Sequence, residues 1–122
     1  MISKLALEVN NSIRRLFPHE TIVPEYYVYY KNNKLFFDFF LKGLNILVEC
    51  QGRQHFGFVK HFHGNAEEYK LHKKRDRLKA DYARENSISL VYFNDGGPDL
   101  TDEFVRRTLY EAQCGTHAPQ TI

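Results

Sequence analysis

Apolar side chains at Leu5, Val9, Ile13, Leu16 and Phe17 recur at the spacing of one helical face, which predicts a helix over residues 3–17. Ser3 is suited to cap its start, and Pro18 to end it. The pattern then changes to a β type. Residues 26–30 are aromatic and β-prone, and Asn32 and Asn33, between lysines, form a hairpin turn. Residues 35–41 make a second strand, apolar except for Asp38. Lys42 and Gly43 turn the chain into a third, residues 44–51, apolar through Ile46, Leu47 and Val48 and then carrying Glu49. Residues 52–65 hold three Gly and three His and read as a loop. A second helix covers residues 66–86, with Leu71, Leu78 and Tyr82 as its apolar stripe. On another face of it, Tyr69, His72, Asp76, Lys79 and Ala83 fall within about 60° of one line. Residues 88–93 form a fourth strand, 95–98 a turn, 99–113 a last helix and 115–122 a frayed tail. The order α-β-β-β-α-β-α predicts an α/β fold with a mixed central sheet flanked by helices.

With 122 residues the chain has room for one domain, residues 1–122. Ten Phe and eight Tyr supply large rings for a core, which excludes an intrinsically disordered chain. No apolar run approaches the roughly 20 residues of a membrane span, and residues 1–9 lack the apolar stretch of a signal peptide. Cys50 and Cys114 set up neither a disulfide framework nor a metal-binding spacing. A reducing, cytoplasmic location is therefore expected, with no membrane partner. The net charge of +2 conceals a local asymmetry. Residues 70–79 carry seven basic side chains, His72 included, against the single carboxylate of Asp76. Such a run is either a solvated helix face or a surface that meets phosphates.

Two acids carry the chemistry. Asp38 lies among Leu35, Phe36, Phe37, Phe39, Phe40 and Leu41, where an unpaired carboxylate is costly to bury. Glu49 follows the apolar run of the next strand. Antiparallel pairing brings these two carboxylates to within about 5 Å of each other. They repel unless a cation lies between them, and hard oxygen ligands with water and phosphate suit Mg²⁺. Gln51 shares the strand face of Glu49, Gly52 permits a sharp turn, and His55 has a pKa suited to handling a water. Each feature has a plainer reading: Asp38 as the partner of a buried cation, Glu49 as an edge residue, Glu8 as an exposed helix residue, His55 as a loop residue. Their conjunction with Asp76 and Lys79 favours a site.

The stretch FFDFFLKGLNILVECQGRQHF, followed by KKRDRLKADYARENSISLVYF, resembles small nucleases of the PD-(D/E)XK superfamily. The likeness is to the branch similar to very-short-patch-repair (Vsr-like) endonucleases and related phage and homing enzymes, and it spans roughly residues 5–93. It implies a restriction-endonuclease-like fold and Mg²⁺-dependent (or Mn²⁺-dependent) hydrolysis of DNA. On it, Glu8 matches the first-helix acid and Asp38 the strand aspartate. Glu49, Gln51, Gly52 and His55 match the E-x-(D/Q)-G-x-x-H segment, and Arg75, Asp76 and Lys79 the R-D-x-x-K helix. It further implies that Asp38, Glu49 and the Cys50 carbonyl hold the metal. Where the wider superfamily has a lysine, this chain has Gln51, so that Lys79 or Lys73 would supply the positive charge. Lys70, Lys73, Lys74, Arg75 and Arg77 would contact the backbone of double-stranded or branched DNA. So small an enzyme would cut two strands as a homodimer, nick alone, or depend on a larger targeting partner. Two other classes compete: a catalytically inert DNA-binding module, and a phage-type interaction protein.

Overall fold

A computed structural model describes residues 3–52 and 66–115. Helix α1 (Lys4–Leu16) begins where the Ala6 amide donates to the Ser3 hydroxyl at 3.1 Å and ends at Phe17, just before Pro18. Strand β1 (Ile22–Tyr30) starts earlier than the aromatic run suggested. It takes in Pro24, which an edge strand tolerates because its missing N–H need not join a ladder. The hairpin turn is Lys31–Asn32, one residue ahead of the predicted pair; both have positive φ, 49° and 62°. Two left-handed residues match the twist of the flanking strands. Asn33 therefore opens β2 (Asn33–Leu41). Asn45, at φ 62°, belongs to the next turn, so β3 is Ile46–Gln51 and shorter than expected. Helix α2 (Ala66–Glu85) and strand β4 (Ser89–Asn94) follow. Helix α3 (Asp102–Cys114) begins later than its apolar pattern implied, because the Thr101 hydroxyl accepts the Phe104 amide at 3.0 Å and fixes the cap.

The fold is α/β. The sheet runs β1-β2-β3-β4, antiparallel across the first two pairs and parallel between β3 and β4, with α2 as the crossover. Helices α1 and α3 cover one face, packing Val9, Ile13, Val105 and Leu109 onto Phe39, Leu41, Val48, Val91 and Phe93. On the other face Leu78, Tyr82 and Ala83 of α2 meet Val28, Leu35, Phe37, Leu47 and Leu90. Leu71 does not join them; it is exposed, because the first half of α2 runs beyond the apolar sheet. No described helix is long and apolar enough to cross a membrane.

The first hairpin changes sides midway. Leu35 and Phe37 face α2, yet Phe39 and Leu41 face α1 and α3. Strict alternation would put all four together. The shift falls at Asp38 and at Glu25 opposite it, the one position where the β1–β2 ladder is interrupted; Glu25 has φ 49°. Beyond this point β2 is paired with β3 only through Phe39, Phe40 and Leu41. Among the described residues, no strand pairs with β2 from Lys34 to Asp38 on the β3 side.

Asp102 ties α1 to α3. Its carboxylate accepts the Ser12 hydroxyl at 2.7 Å and a two-pronged contact from Arg15 at 2.9 and 3.0 Å. The Arg15 guanidinium and the Ser12 hydroxyl hold its pKa down to about 2. A lowered pKa stabilises the fold above the ordinary aspartate value, and that contribution fades as pH falls through about 2. Asp102→Asn is accordingly expected to lower the thermal midpoint modestly at neutral pH, with the difference vanishing near pH 2. Thermal melts across that range check it; a pH-independent difference would show that the charge is irrelevant.

Candidate active site

Asp38 and Glu49 stand across the β2–β3 pair at the point where the strands part. The register that joins Phe39 to Val48 would next join Asp38 to Glu49, and that pair is not formed. Instead the Cys50 amide donates to Asp38 Oδ2 at 2.7 Å. The carboxylate replaces the backbone acceptor that the diverging strand no longer provides. Within a strand, N–H and C=O of one residue point to the same side, so the Cys50 carbonyl borders the same gap. The Cys50 thiol is turned to the α1–α3 side, and burial pushes its pKa up. Among the described residues both cysteines are free thiols.

Glu49 lies on the opposite strand face, beneath α2. Its carboxyl is only about a tenth exposed and pairs with the Lys79 ammonium. Its pKa is nevertheless pushed up to about 7: burial is the largest cause, Asp38 adds to it, and Lys79 opposes it. The plainer expectation of a buried cation partner is thus met at Glu49, not at Asp38. Lys79 Nζ also sits 5.5 Å from the centre of the Phe37 ring, which forms the floor beneath it. In the parallel pair, Glu49 is opposite Tyr92. The Tyr92 hydroxyl is buried with no hydrogen-bond partner among the described residues. Burial raises its pKa, and the charges of Asp76 and Glu49 raise it further.

Helix α2 closes the other side. One turn separates Asp76 from Lys79, so both reach the same space. Together with His72, Arg75, Lys34, Leu35 and Phe36 they line a cavity of about 460 Å³ between α2 and the start of β2. Lys70, Lys73, Lys74 and Arg77 are exposed along the helix. Lys73 lies 5.6 Å from the Tyr69 ring. None of these four, nor Arg75, is in an ion pair among the described residues. Gln51 follows Glu49 on the same face, half-buried, and its carbonyl accepts the Asp95 amide at 2.9 Å. Glu8 is exposed on α1, and no described contact brings it to the two acids. His55 and the tail beyond residue 115 lie outside the described residues. Sequence reasoning missed Tyr92. Only its position in the apolar strand SLVYFN, where a hydroxyl is conspicuous, hinted at it.

Asp38, Glu49 and the Cys50 carbonyl are hard oxygen donors of the kind a divalent cation takes. The unpartnered Tyr92 hydroxyl beside Glu49 and Asp76 leaves polar capacity at the same place. Among the described residues no three His, Cys, Asp or Glu side chains gather as a ready metal cage. Mg²⁺ typically keeps several water ligands and uses only one or two carboxylates, so two acids and a carbonyl fit it.

No protein-family model matches this chain. No solved structure matches it. The chain is similar to uncharacterized protein 307L of Invertebrate iridescent virus 6, 35% identical over 60 residues. That match takes in 49% of this chain and 30% of the viral protein's length.

Proposed function

We propose that this chain is a metal-dependent DNA endonuclease with a restriction-endonuclease-like fold of the Vsr-like kind. The observation that carries the reading is the convergence of Asp38 and Glu49 at a strand divergence, faced by Lys79 from a basic helix. Asp38, Glu49 and the Cys50 carbonyl would hold Mg²⁺ or Mn²⁺. The bound ion would polarise the scissile phosphate and lower the pKa of a water beside it. Lys79, next to Glu49, offsets negative charge that develops on the phosphate. Arg75 lines the cavity and gives the phosphate a second donor. Asp76 and Gln51 orient polar groups around the acids. Glu8 remains a candidate by resemblance, and His55 by resemblance and by an imidazole suited to handling a water. Lys70, Lys73, Lys74 and Arg77 hold the DNA backbone without reading sequence. The likeness to an iridescent-virus protein supports a viral or phage setting.

A second reading has its own observation. Lys79 already neutralises Glu49 without any metal, as it would in an inert DNA-binding module. Incubating supercoiled plasmid with the protein in Mg²⁺ or Mn²⁺, and in parallel in EDTA, separates the two. The nuclease reading expects loss of the supercoiled form only with metal; the nicked-to-linear ratio then reports one- or two-strand cutting. If neither plasmid nor branched and mismatched duplexes are cut while DNA is still bound, the inert module is correct.

The basic helix has its own test. Replacing Lys73 and Lys74 together by Ala is expected to weaken duplex binding and to make the logarithmic salt dependence shallower by roughly 1.8, about 0.9 for each phosphate that is no longer neutralised. Anisotropy titrations over a range of salt concentrations measure this. An unaltered slope would take these lysines out of the interface.

A further inference from the structure

We infer that the outer face of the β1–β2 hairpin is a stacking platform for unpaired bases, so that the substrate is DNA with a single-stranded segment, as in branched or frayed DNA. The inference rests on the nuclease reading for the identity of the ligand and adds the form of DNA that the site accepts. Tyr27 pairs directly with Phe36 across the two strands, and Tyr29 with Lys34. Their side chains therefore form a two-by-two array on one face. That face is opposite to the one where Val28, Leu35 and Phe37 pack beneath α2. The rings remain in solvent: Tyr27 is 46% exposed, Tyr29 63% and Phe36 55%. None of the three belongs to either apolar core. Tyr27 and Phe36 already touch at a tilt, with ring centres 5.1 Å apart and planes at 41°.

Three exposed rings on neighbouring positions are an unusual use of a sheet surface, which normally alternates apolar-in with polar-out. Charge identifies the occupant. The fourth member of the array is Lys34, and the cavity that Phe36 and Lys34 help to line also holds Arg75 and Lys79. A ligand that offers flat aromatic faces joined by anionic groups satisfies both halves, and single-stranded DNA is such a ligand. Its bases would lie on Tyr27, Tyr29 and Phe36. Its backbone would then pass Lys34 into the cavity that Arg75, Asp76 and Lys79 line, where Lys79 pairs with Glu49. Duplex DNA presents no free base faces along its length, so the rings would be of no use to it.

The test is binding without catalysis. A fluorescein-labelled oligo(dT) of about 16 nucleotides and a duplex of the same length are titrated with protein in EDTA, and anisotropy is read. Tyr27→Ser with Phe36→Ser is expected to weaken oligo(dT) binding by about 10- to 100-fold and to leave duplex binding unchanged. Tyr29→Ser alone is expected to weaken it by a smaller factor, and serves if the double variant proves unfolded by circular dichroism. Undiminished oligo(dT) affinity in the folded variants would overturn the platform, as would an equal loss for duplex and single strand. So would sedimentation showing a wild-type dimer that these substitutions dissociate, since the rings would then serve a second copy of the chain. Ring-dependent binding by a protein that cuts no plasmid or branched DNA would keep the platform and remove the nuclease reading.

Discussion

Asp38→Asn is expected to abolish metal-dependent cleavage, by on the order of a thousandfold or more, while the protein stays folded. A carboxylate that holds a divalent ion contributes several kcal/mol of charge stabilisation in the transition state, and each 1.4 kcal/mol is about tenfold in rate. Asn keeps an oxygen that can accept the Cys50 amide, so the bridge between the parting strands survives. Asp38→Ala is a harsher test. It would leave that amide without its acceptor and would cost the fold about 1–3 kcal/mol in addition. Comparing plasmid cleavage and thermal midpoints for the two variants separates chemistry from stability. Wild-type cleavage by Asp38→Asn would remove Asp38 from the site.

Lys79→Met should destabilise the fold by about 3 kcal/mol at mildly alkaline pH and by much less near pH 5. The dependence follows from Glu49. In the native protein its carboxyl keeps a proton up to about 7, whereas in the unfolded chain it releases it near the ordinary value of 4.5. Between those values the native state binds more protons than the unfolded one, so this group's contribution to stability falls as pH rises. Removing the Lys79 ammonium, which lowers the Glu49 pKa, widens that window upward. At about pH 5 the carboxyl is neutral in both proteins, and little is lost. Above about 7 the variant must bury an unpaired carboxylate or hold its proton against the solvent. Adding Glu49→Gln to Lys79→Met should recover most of the loss. Chemical denaturation at both pH values measures it. A loss equal at both, and unrelieved by the second substitution, would show that Lys79 acts through packing on Phe37 and not through charge.

The two acids were legible because each interrupts an apolar strand and a short hairpin separates them. Asp76 and Lys79 were legible as one helical face. Three features were not. The pairing of Lys79 with Glu49 joins residues 30 positions apart in the chain, a choice no local pattern encodes. The parting of β2 from β3 depends on a change of side at Glu25 and Asp38, which breaks the period-two rule that sequence reading relies on. Leu71 matched the apolar stripe of α2 yet is exposed, because helical periodicity specifies a face and not how far the sheet beneath it extends.

By itself the sequence determined the kinds and order of the elements, since apolar periodicity, capping hydroxyls and turn residues act over a few positions. It also determined which residues have the chemistry to hold a cation or meet a phosphate. The tertiary structure decided which of them share a space. It left a cavity between α2 and the start of β2, set the Tyr92 hydroxyl against Glu49 and kept Tyr27, Tyr29 and Phe36 in solvent. Those outcomes depend on how the sheet twists and how far each helix extends over it, and both are settled by packing between elements distant in the chain.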